Sequence, residues 1–188
     1  MSHISADGAA VRAAAGYLQG RLPFAPRYAL VLGSGLGGLA DRIADPVFIP
    51  YAEVPGFPAA TAPGHAGRFV AGTLGGAPVL CMQGRYHYYE GHEMSAIALP
   101  VRVLKALGCR ALLLTNAAGG VNRDFSVGDF MLITDHINFM GANPLRGAND
   151  DAIGPRFCDM THMYAPELQK IALDVAMAQN VTLRSGVY

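Results

Sequence analysis

The stretch RYALVLGSGLGG, residues 27–38, joins a continuously apolar segment to a glycine-rich turn. Residues 27–32 have the length and apolar character of a strand that is buried on both faces. Gly33, Gly35 and Gly38 then form a G-x-G-x-x-G pattern, and the residues that follow predict a short helix ending near Ala44. A strand, a glycine turn and a helix in this order are typical of α/β folds, where such a turn can bind an anion.

The rest of the chain alternates between helical and strand patterns. We predict helices at 7–19, 94–107 and 166–179, and strands at 68–74, 77–83, 111–115, 130–135 and 181–188. Gly75 and Gly76 predict a hairpin between two of these strands, and Pro100 is expected to bend the second helix. Segments 50–67 and 138–158 are predicted to be loops. We therefore predict one α/β domain over residues 1–188, with a mixed, largely buried central sheet flanked by helices.

Composition excludes several classes of partner. Of the 188 residues, 52% are hydrophobic, and 14 Lys+Arg balance 14 Asp+Glu. A chain without net charge has no overall field to attract nucleic acid or an anionic membrane, so any bound anion must be held locally. The N-terminus lacks a signal-peptide pattern, and no apolar run is long enough to span a bilayer, so we expect a cytoplasmic protein. Three widely spaced cysteines show no metal-ligand spacing, and Cys81 and Cys109 are expected to be buried thiols.

The glycine turn admits three interpretations. Its pattern matches a dinucleotide-binding loop, and Glu53 lies 20 residues after Gly33, where such loops have an acidic residue. However, Glu53 lies in the proline-rich segment and not at the end of a second parallel strand. Ser34 adds a hydroxyl to the loop, which favours inorganic phosphate over a dinucleotide, and a tight turn without a ligand is the third interpretation.

A second candidate segment is QGRYHYYEGH, residues 83–92, which follows a predicted strand. Arg85 and His87 lie two residues apart and so point to the same side of an extended chain. A guanidinium and an imidazole together suit a phosphate group. The alternative is a pair of surface charges that flank a core of tyrosines.

A third candidate is TNAAGG, residues 115–120, where small side chains let backbone N–H groups approach a ligand. If all three loops follow strands of one sheet, they can converge on one site at the carboxyl ends of those strands. His65, in a proline- and glycine-rich loop, is either a fourth contributor or a solvated side chain. No cluster fits a metal site, and Ser34 has no neighbouring base that would make it a nucleophile.

These motifs, in this order, resemble those of trimeric purine nucleoside phosphorylases. The resemblance covers residues 20–188 and also includes segments 63–68, 135–138 and 143–147. It implies phosphate-dependent cleavage of the N-glycosidic bond of purine (deoxy)ribonucleosides, a homotrimer, and no metal or organic cofactor.

The resemblance also implies roles for individual residues. Arg85 and His87 are the implied catalytic groups, and Tyr89 resembles the tyrosine that binds a ribose hydroxyl. Phe157 resembles the aromatic residue that enters the neighbouring subunit's site. The implied phosphate site consists of Ser34, His65, Arg85, Tyr86, His87 and the backbone of Ala117.

Members of this family continue past the position that corresponds to Tyr188, and the residues that grip the purine lie in that part. The resemblance therefore implies a chain shortened at its C-terminus, and we expect little turnover by these 188 residues alone. Two alternatives stay open. One is a catalytically silent protein that binds phosphate or ribose, and the other is a dinucleotide-dependent oxidoreductase built on residues 33–38.

Overall fold

The computed structural model describes residues 6–33, 35–58 and 66–188. Its α-helices are α1 Ala6–Gln19, α2 Met94–Ala106 and α3 Pro166–Ala178. Its strands are β1 Tyr28–Leu32, β2 Ala44–Pro50, β3 Arg68–Leu74, β4 Ala77–Gln83, β5 Ala111–Leu114, β6 Phe130–Asp135 and β7 Leu183–Val187. Short 3₁₀ helices occupy Gly37–Arg42, Tyr51–Glu53 and Tyr88–Glu90. Every helix and strand predicted from the sequence is present within a few residues of its expected ends.

Five strands form one mixed sheet in the order β2-β3-β4-β1-β5. The central strand β1 is parallel to both β4 and β5, whereas β2–β3 and β3–β4 are antiparallel. The β3–β4 hairpin turns at Gly75 and Gly76, which both have positive φ and so fit the predicted two-residue turn. The predicted α/β fold with a mixed central sheet is confirmed.

Alternating side chains of the strands divide the interior between the two faces of this sheet. On one face, Ala29, Phe69 and Leu80 pack with residues of α1 and α2, including Leu18 and Val103. On the other face, the 3₁₀ segment and its end supply Ala40 and Ile43, which pack against Leu32, Val70, Val79 and Cys81. Both faces of β1 and β4 are therefore covered, which explains the uninterrupted apolar sequences of these strands.

Strand β2 was not predicted. Its sequence contains Pro46 and Pro50, and proline in a strand argues against an interior position. The structure places β2 at the edge of the sheet, with an irregular register between Ala44 and Val47 and a positive φ at Asp45. An edge strand tolerates proline because one side of its backbone needs no ladder partner.

The described chain divides into two compact units. The first contains residues from Met1–Ala117 and Asn143–Arg156, and the second contains Ala118–Ala142 and Phe157–Tyr188. Within the second unit, β6 and β7 form a parallel pair. Backbone bonds from Ile137 to Tyr188 (2.8 Å) and from Tyr188 to Asp135 (2.9 Å) extend this pair. That residues 1–188 act as one domain stays a prediction.

Among the described residues, no helix is long and apolar enough to cross a bilayer. No disulfide joins the three cysteines, which all lie among the described residues. Cys81 is buried in β4, as expected. The expectation for Cys109 is corrected, since it is only half-buried at the amino end of β5, and Cys158 is exposed.

Alkaline pH is expected to destabilise the first unit through Cys81. Burial raises the pKa of this thiol from 9.0 to about 12, so the folded chain keeps the proton that an unfolded chain loses. The contribution of the Cys81 thiol to the free energy of unfolding is fully present below pH 9 and is lost as the pH rises towards 12. Urea unfolding from pH 8 to 11 should therefore show a falling free energy of unfolding.

The matched variant is Cys81→Ala, which lacks this titrating group. Its free energy of unfolding should also fall with pH, but with a slope that is smaller than that of the wild type by about 1.4 kcal/mol per pH unit. Burial also raises the pKa of the Tyr51 hydroxyl, so the stability of both proteins should still fall to some extent at high pH. Identical slopes for the two proteins would show that Cys81 ionises equally in the folded and unfolded states.

Candidate active site

The candidate site lies at the carboxyl ends of β4, β1 and β5. These three strands are adjacent and parallel, so the loops that follow them emerge from the same edge of the sheet. The glycine loop follows β1, residues 84–92 follow β4 and residues 115–120 follow β5. The predicted convergence of three loops is thus observed, at the kind of edge where open α/β sheets bind ligands.

Thr115 joins the glycine loop to the loop after β5. The Gly33 N–H donates to Thr115 Oγ1 (2.8 Å), and this hydroxyl donates to the Val31 carbonyl (3.1 Å). A Cβ at position 33 would lie 2.4 Å from the Thr115 carbonyl oxygen. Only glycine therefore allows the two backbones to approach this closely.

Gln83 joins the glycine loop to the end of β4. Its Oε1 accepts a hydrogen bond from Arg68 Nε (2.8 Å), and its Nε2 donates to the Gly37 carbonyl (3.0 Å). The roles of the Gln83 and Thr115 side chains were not predicted from the sequence. The available signal was their position, because each is a polar residue at the carboxyl end of a buried strand.

Arg85 and His87 lie side by side, as their spacing predicts. Arg85 Nη1 donates to the Thr115 carbonyl (2.7 Å), and Arg85 Nε donates to His87 Nε2 (3.3 Å). Both side chains are partly buried. The guanidinium thus spans the loops after β4 and β5, and it places fixed positive charge beside the imidazole.

Glu90 holds the His87 ring from the other side. Glu90 Oε1 lies 2.6 Å from His87 Nδ1 and also accepts the His87 backbone N–H (2.9 Å), which closes a capping box on the 3₁₀ helix. A guanidinium nitrogen can only donate, so His87 Nε2 accepts from Arg85, and the ring proton is assigned to Nδ1. Sequence reasoning missed Glu90, although its place three residues after His87 is the capping-box spacing.

Tyr86 requires a correction. Its side chain is 5% exposed and lies among Tyr51 and Phe57, and its hydroxyl donates to the Pro58 carbonyl (2.8 Å). Consecutive residues of an extended chain point to opposite sides, so Tyr86 enters the core while Arg85 and His87 do not. A phosphate contact by Tyr86 is thereby restricted to its backbone N–H.

The other predicted residues are distributed as follows. The Tyr89 ring stacks on His87 with a centroid distance of 4.8 Å, and the residue is 79% exposed. Ala117 is exposed two residues after Thr115. Phe157 belongs to the second unit and is 89% exposed. Ser34 and His65 lie outside the described residues, so their roles, and that of Phe157 in a neighbouring subunit, stay predictions.

The position of Glu53 argues against the dinucleotide interpretation of the glycine loop. Glu53 lies in the 3₁₀ helix Tyr51–Glu53, after the antiparallel edge strand β2, and its Oε2 accepts the Tyr17 hydroxyl (3.0 Å). A dinucleotide site needs this acid at the end of a second parallel strand, beside the glycine loop. The geometry therefore favours a smaller anion on the loop.

Comparison with known proteins decides the family. Residues 27–188 match the model of the phosphorylase superfamily. The chain belongs to the phosphorylase superfamily. It is 51% identical over 178 residues to purine nucleoside phosphorylase 1 of Bacillus subtilis, and this match covers 95% of the chain and 66% of the relative. It is 45% identical over 177 residues to purine nucleoside phosphorylase of Rattus norvegicus, covering 92% of the chain and 61% of that relative.

Solved structures give the same result. Isoform 2 of purine nucleoside phosphorylase from Schistosoma mansoni, in complex with cytosine and ribose-1-phosphate, superposes with a TM-score of 0.90 at 44% identity. The match covers 96% of the chain and 65% of that structure. This member of the phosphorylase superfamily thus spans about two thirds of the length of the relatives it matches.

The groups at the candidate site are suited to bind an oxyanion. Arg85 supplies a fixed positive charge, His87 lies beside it, and the loop after β5 supplies exposed backbone groups at Ala117. Within the described ranges, no three His, Cys, Asp or Glu side chains are grouped to hold a metal ion.

Proposed function

We propose that the protein is a purine nucleoside phosphorylase, which cleaves the N-glycosidic bond of purine (deoxy)ribonucleosides with inorganic phosphate. The products are the free base and the (deoxy)ribose 1-phosphate. The observation that carries this proposal is the contact of Arg85 Nε with His87 Nε2 at 3.3 Å, while Arg85 Nη1 bonds to the loop after β5. Similarity to enzymes named purine nucleoside phosphorylase, at 51% and 45% identity, supports the same reaction.

In this mechanism, a phosphate oxygen attacks the anomeric carbon with inversion while the glycosidic C–N bond breaks. The electron pair of that bond leaves with the purine, which takes up a proton, and the sugar passes through an oxocarbenium-like state. Arg85 donates to the phosphate, and His87 orients Arg85 through the contact between Nε and Nε2. The negative charge of the phosphate, held close in this way, stabilises the developing positive charge on the sugar. Holding the nucleophile in place supplies a further part of the rate enhancement.

Tyr89 is proposed to contact the ribose, because its ring stacks on His87 and the residue is exposed. We further propose a homotrimer in which Phe157 enters the neighbouring site, since an aromatic ring that is 89% exposed is suited to contact a partner. We propose a cytoplasmic location, since the three cysteines form no disulfide with one another and disulfides are rare in a reducing compartment. Phosphate is a co-substrate, and we propose that the reaction uses no metal or organic cofactor.

The test follows hypoxanthine release from inosine with and without phosphate, for residues 1–188 and for a version extended at the C-terminus to the length of the relatives. We expect the extended version to release the base only with phosphate, together with ribose 1-phosphate, and residues 1–188 to show little turnover. His87→Ala should lower kcat/KM by about a hundredfold, because Arg85 loses the ring that orients it towards the phosphate.

The control is His162→Ala, which removes an exposed histidine of the second unit and should leave the rate unchanged. Base release without phosphate would identify a hydrolase instead. Phosphate binding without base release by the extended version would identify the silent binding protein.

A further inference from the structure

His92 lies directly after Gly91, at the end of the 3₁₀ helix that carries Glu90. Its Nε2 atom is inaccessible to solvent and has no hydrogen-bond partner among the described residues. The side chain is 17% exposed, and the ring packs edge-on against Tyr86 at 5.2 Å. A buried ring nitrogen without a partner is costly, so a structural role alone does not explain this histidine.

The carboxylate of Glu90, which lies near this nitrogen, points to another role. Glu90 Oε2 lies 3.9 Å from His92 Nε2, while Glu90 Oε1 lies 2.6 Å from His87 Nδ1. One planar carboxylate thus lies between two imidazoles. Because its two oxygens rotate together, a group that attracts Oε2 also sets the direction of Oε1 and hence the orientation of the His87 ring.

We propose that His92 is a positioning residue, whose Nε2–H attracts Glu90 Oε2 and so keeps Glu90 Oε1 on His87 Nδ1. A closure of about 1 Å brings the 3.9 Å separation to hydrogen-bond length. Contacts of catalytic side chains are often longer without ligand and tighten when it binds. Among the described residues, the Glu90 carboxylate and Tyr86 face His92. Tyr86 is neutral, because burial and the Glu90 charge raise its pKa. Neither competes with a proton on Nε2.

The proposal makes opposite assignments for the two rings. His87 should carry its proton on Nδ1, and His92 should carry its proton on Nε2. Histidine-selective ¹⁵N NMR of the 188-residue chain separates the two tautomers and does not depend on enzyme activity. Resonances are assigned with the single variants at positions 87 and 92.

The decisive variants are His92→Phe and His92→Gln. Phenylalanine keeps a ring against Tyr86 but removes the donor, whereas the glutamine amide can reach the place of Nε2. We expect His92→Phe to shift His87 towards a mixture of tautomers, in the same direction as Glu90→Ala but less far. His92→Gln should restore the wild-type spectrum of His87. Should His92→Phe fail to fold, the wild-type tautomer of His92 and the glutamine variant still decide the matter.

A second measurement rests on the proposed function. The dissociation constant for inorganic phosphate should rise about three- to tenfold in His92→Phe, as for the loss of one hydrogen bond, and return in His92→Gln. An unchanged His87 tautomer in His92→Phe, or a wild-type His92 protonated on Nδ1, overturns the proposal. If no variant and no wild-type protein binds phosphate while the tautomer shifts occur, the proposed function fails and the role of His92 stands.

Discussion

Arg85→Ala is expected to weaken binding of inorganic phosphate by about ten- to a hundredfold, which corresponds to the loss of one or two charge-assisted hydrogen bonds. The guanidinium is the fixed positive charge that lies against His87 and is tied to Thr115. The same change also removes the bond to the Thr115 carbonyl, so a smaller loss of stability, about 1 kcal/mol, should accompany it. Isothermal titration with phosphate and urea unfolding measure the two effects on the same protein.

Two further variants separate charge from geometry. Arg85→Lys keeps the charge but loses the two-nitrogen fork, so it should recover only part of the affinity. Arg110→Ala removes an exposed arginine next to the amino end of β5. The candidate site lies at the carboxyl ends of the strands, so this change should leave phosphate binding unchanged. Equal weakening by Arg85→Ala and Arg110→Ala would mean that only overall charge matters. A loss of stability in Arg85→Ala without any loss of affinity would make Arg85 a structural residue.

Gly33→Ala is expected to cost about 3 kcal/mol of stability, at the upper end for overpacking, and to disrupt phosphate binding as well. The added methyl carbon would lie 2.4 Å from the Thr115 carbonyl oxygen and 3.0 Å from Asn116 Cα. Both atoms belong to the backbone, so relief requires the glycine loop and the loop after β5 to separate. Their separation also stretches the Gly33–Thr115 hydrogen bond and moves the carbonyl that holds Arg85. The melting temperature should fall by roughly 6–12 °C for a chain of this size.

The matched control is Gly16→Ala on the exposed face of α1, where an added Cβ would have no atom within 4 Å. This change should raise stability by up to about 1 kcal/mol, because alanine has the higher helix propensity. Thermal unfolding of the two alanine variants, with phosphate titration of each, is the measurement. If Gly33→Ala melts like the wild type and still binds phosphate, the two loops can accommodate a methyl group, and the close approach at Gly33 does not require glycine.

Local patterns were sufficient for most of the fold. The apolar strands, the Gly75–Gly76 turn and Pro166 at the start of α3 each act within a few residues, so their sequences predict them. Strand β2 was missed because its two prolines argue against a strand unless it lies at an edge. Its edge position depends on β3, whose residues come some 20 positions later in the chain.

The candidate site was predicted in part, for the same reason. The two-residue spacing of Arg85 and His87 correctly predicted that their side chains lie on one side of the chain. The same alternation places Tyr86 on the other side, in the core, whereas the resemblance had implied a phosphate contact for it. The partners of these side chains were not predictable in this way. Thr115 lies 82 residues from Gly33, and Gln83 lies 46 residues from Gly37, so only the folded sheet brings them together.

The sequence by itself determined the class of fold, the three loops and the basic pair, because helix and strand periodicity and glycine turns are properties of neighbouring residues. Tertiary structure decided which groups meet: parallel pairing of β4, β1 and β5 placed the three loops at one edge. It also decided that Glu90 lies between two histidines, since the 3₁₀ turn after β4 folds its carboxylate back onto His87 while packing on Tyr86 places His92 nearby. Such contacts depend on distances across the fold and on burial, which no local pattern of residues specifies.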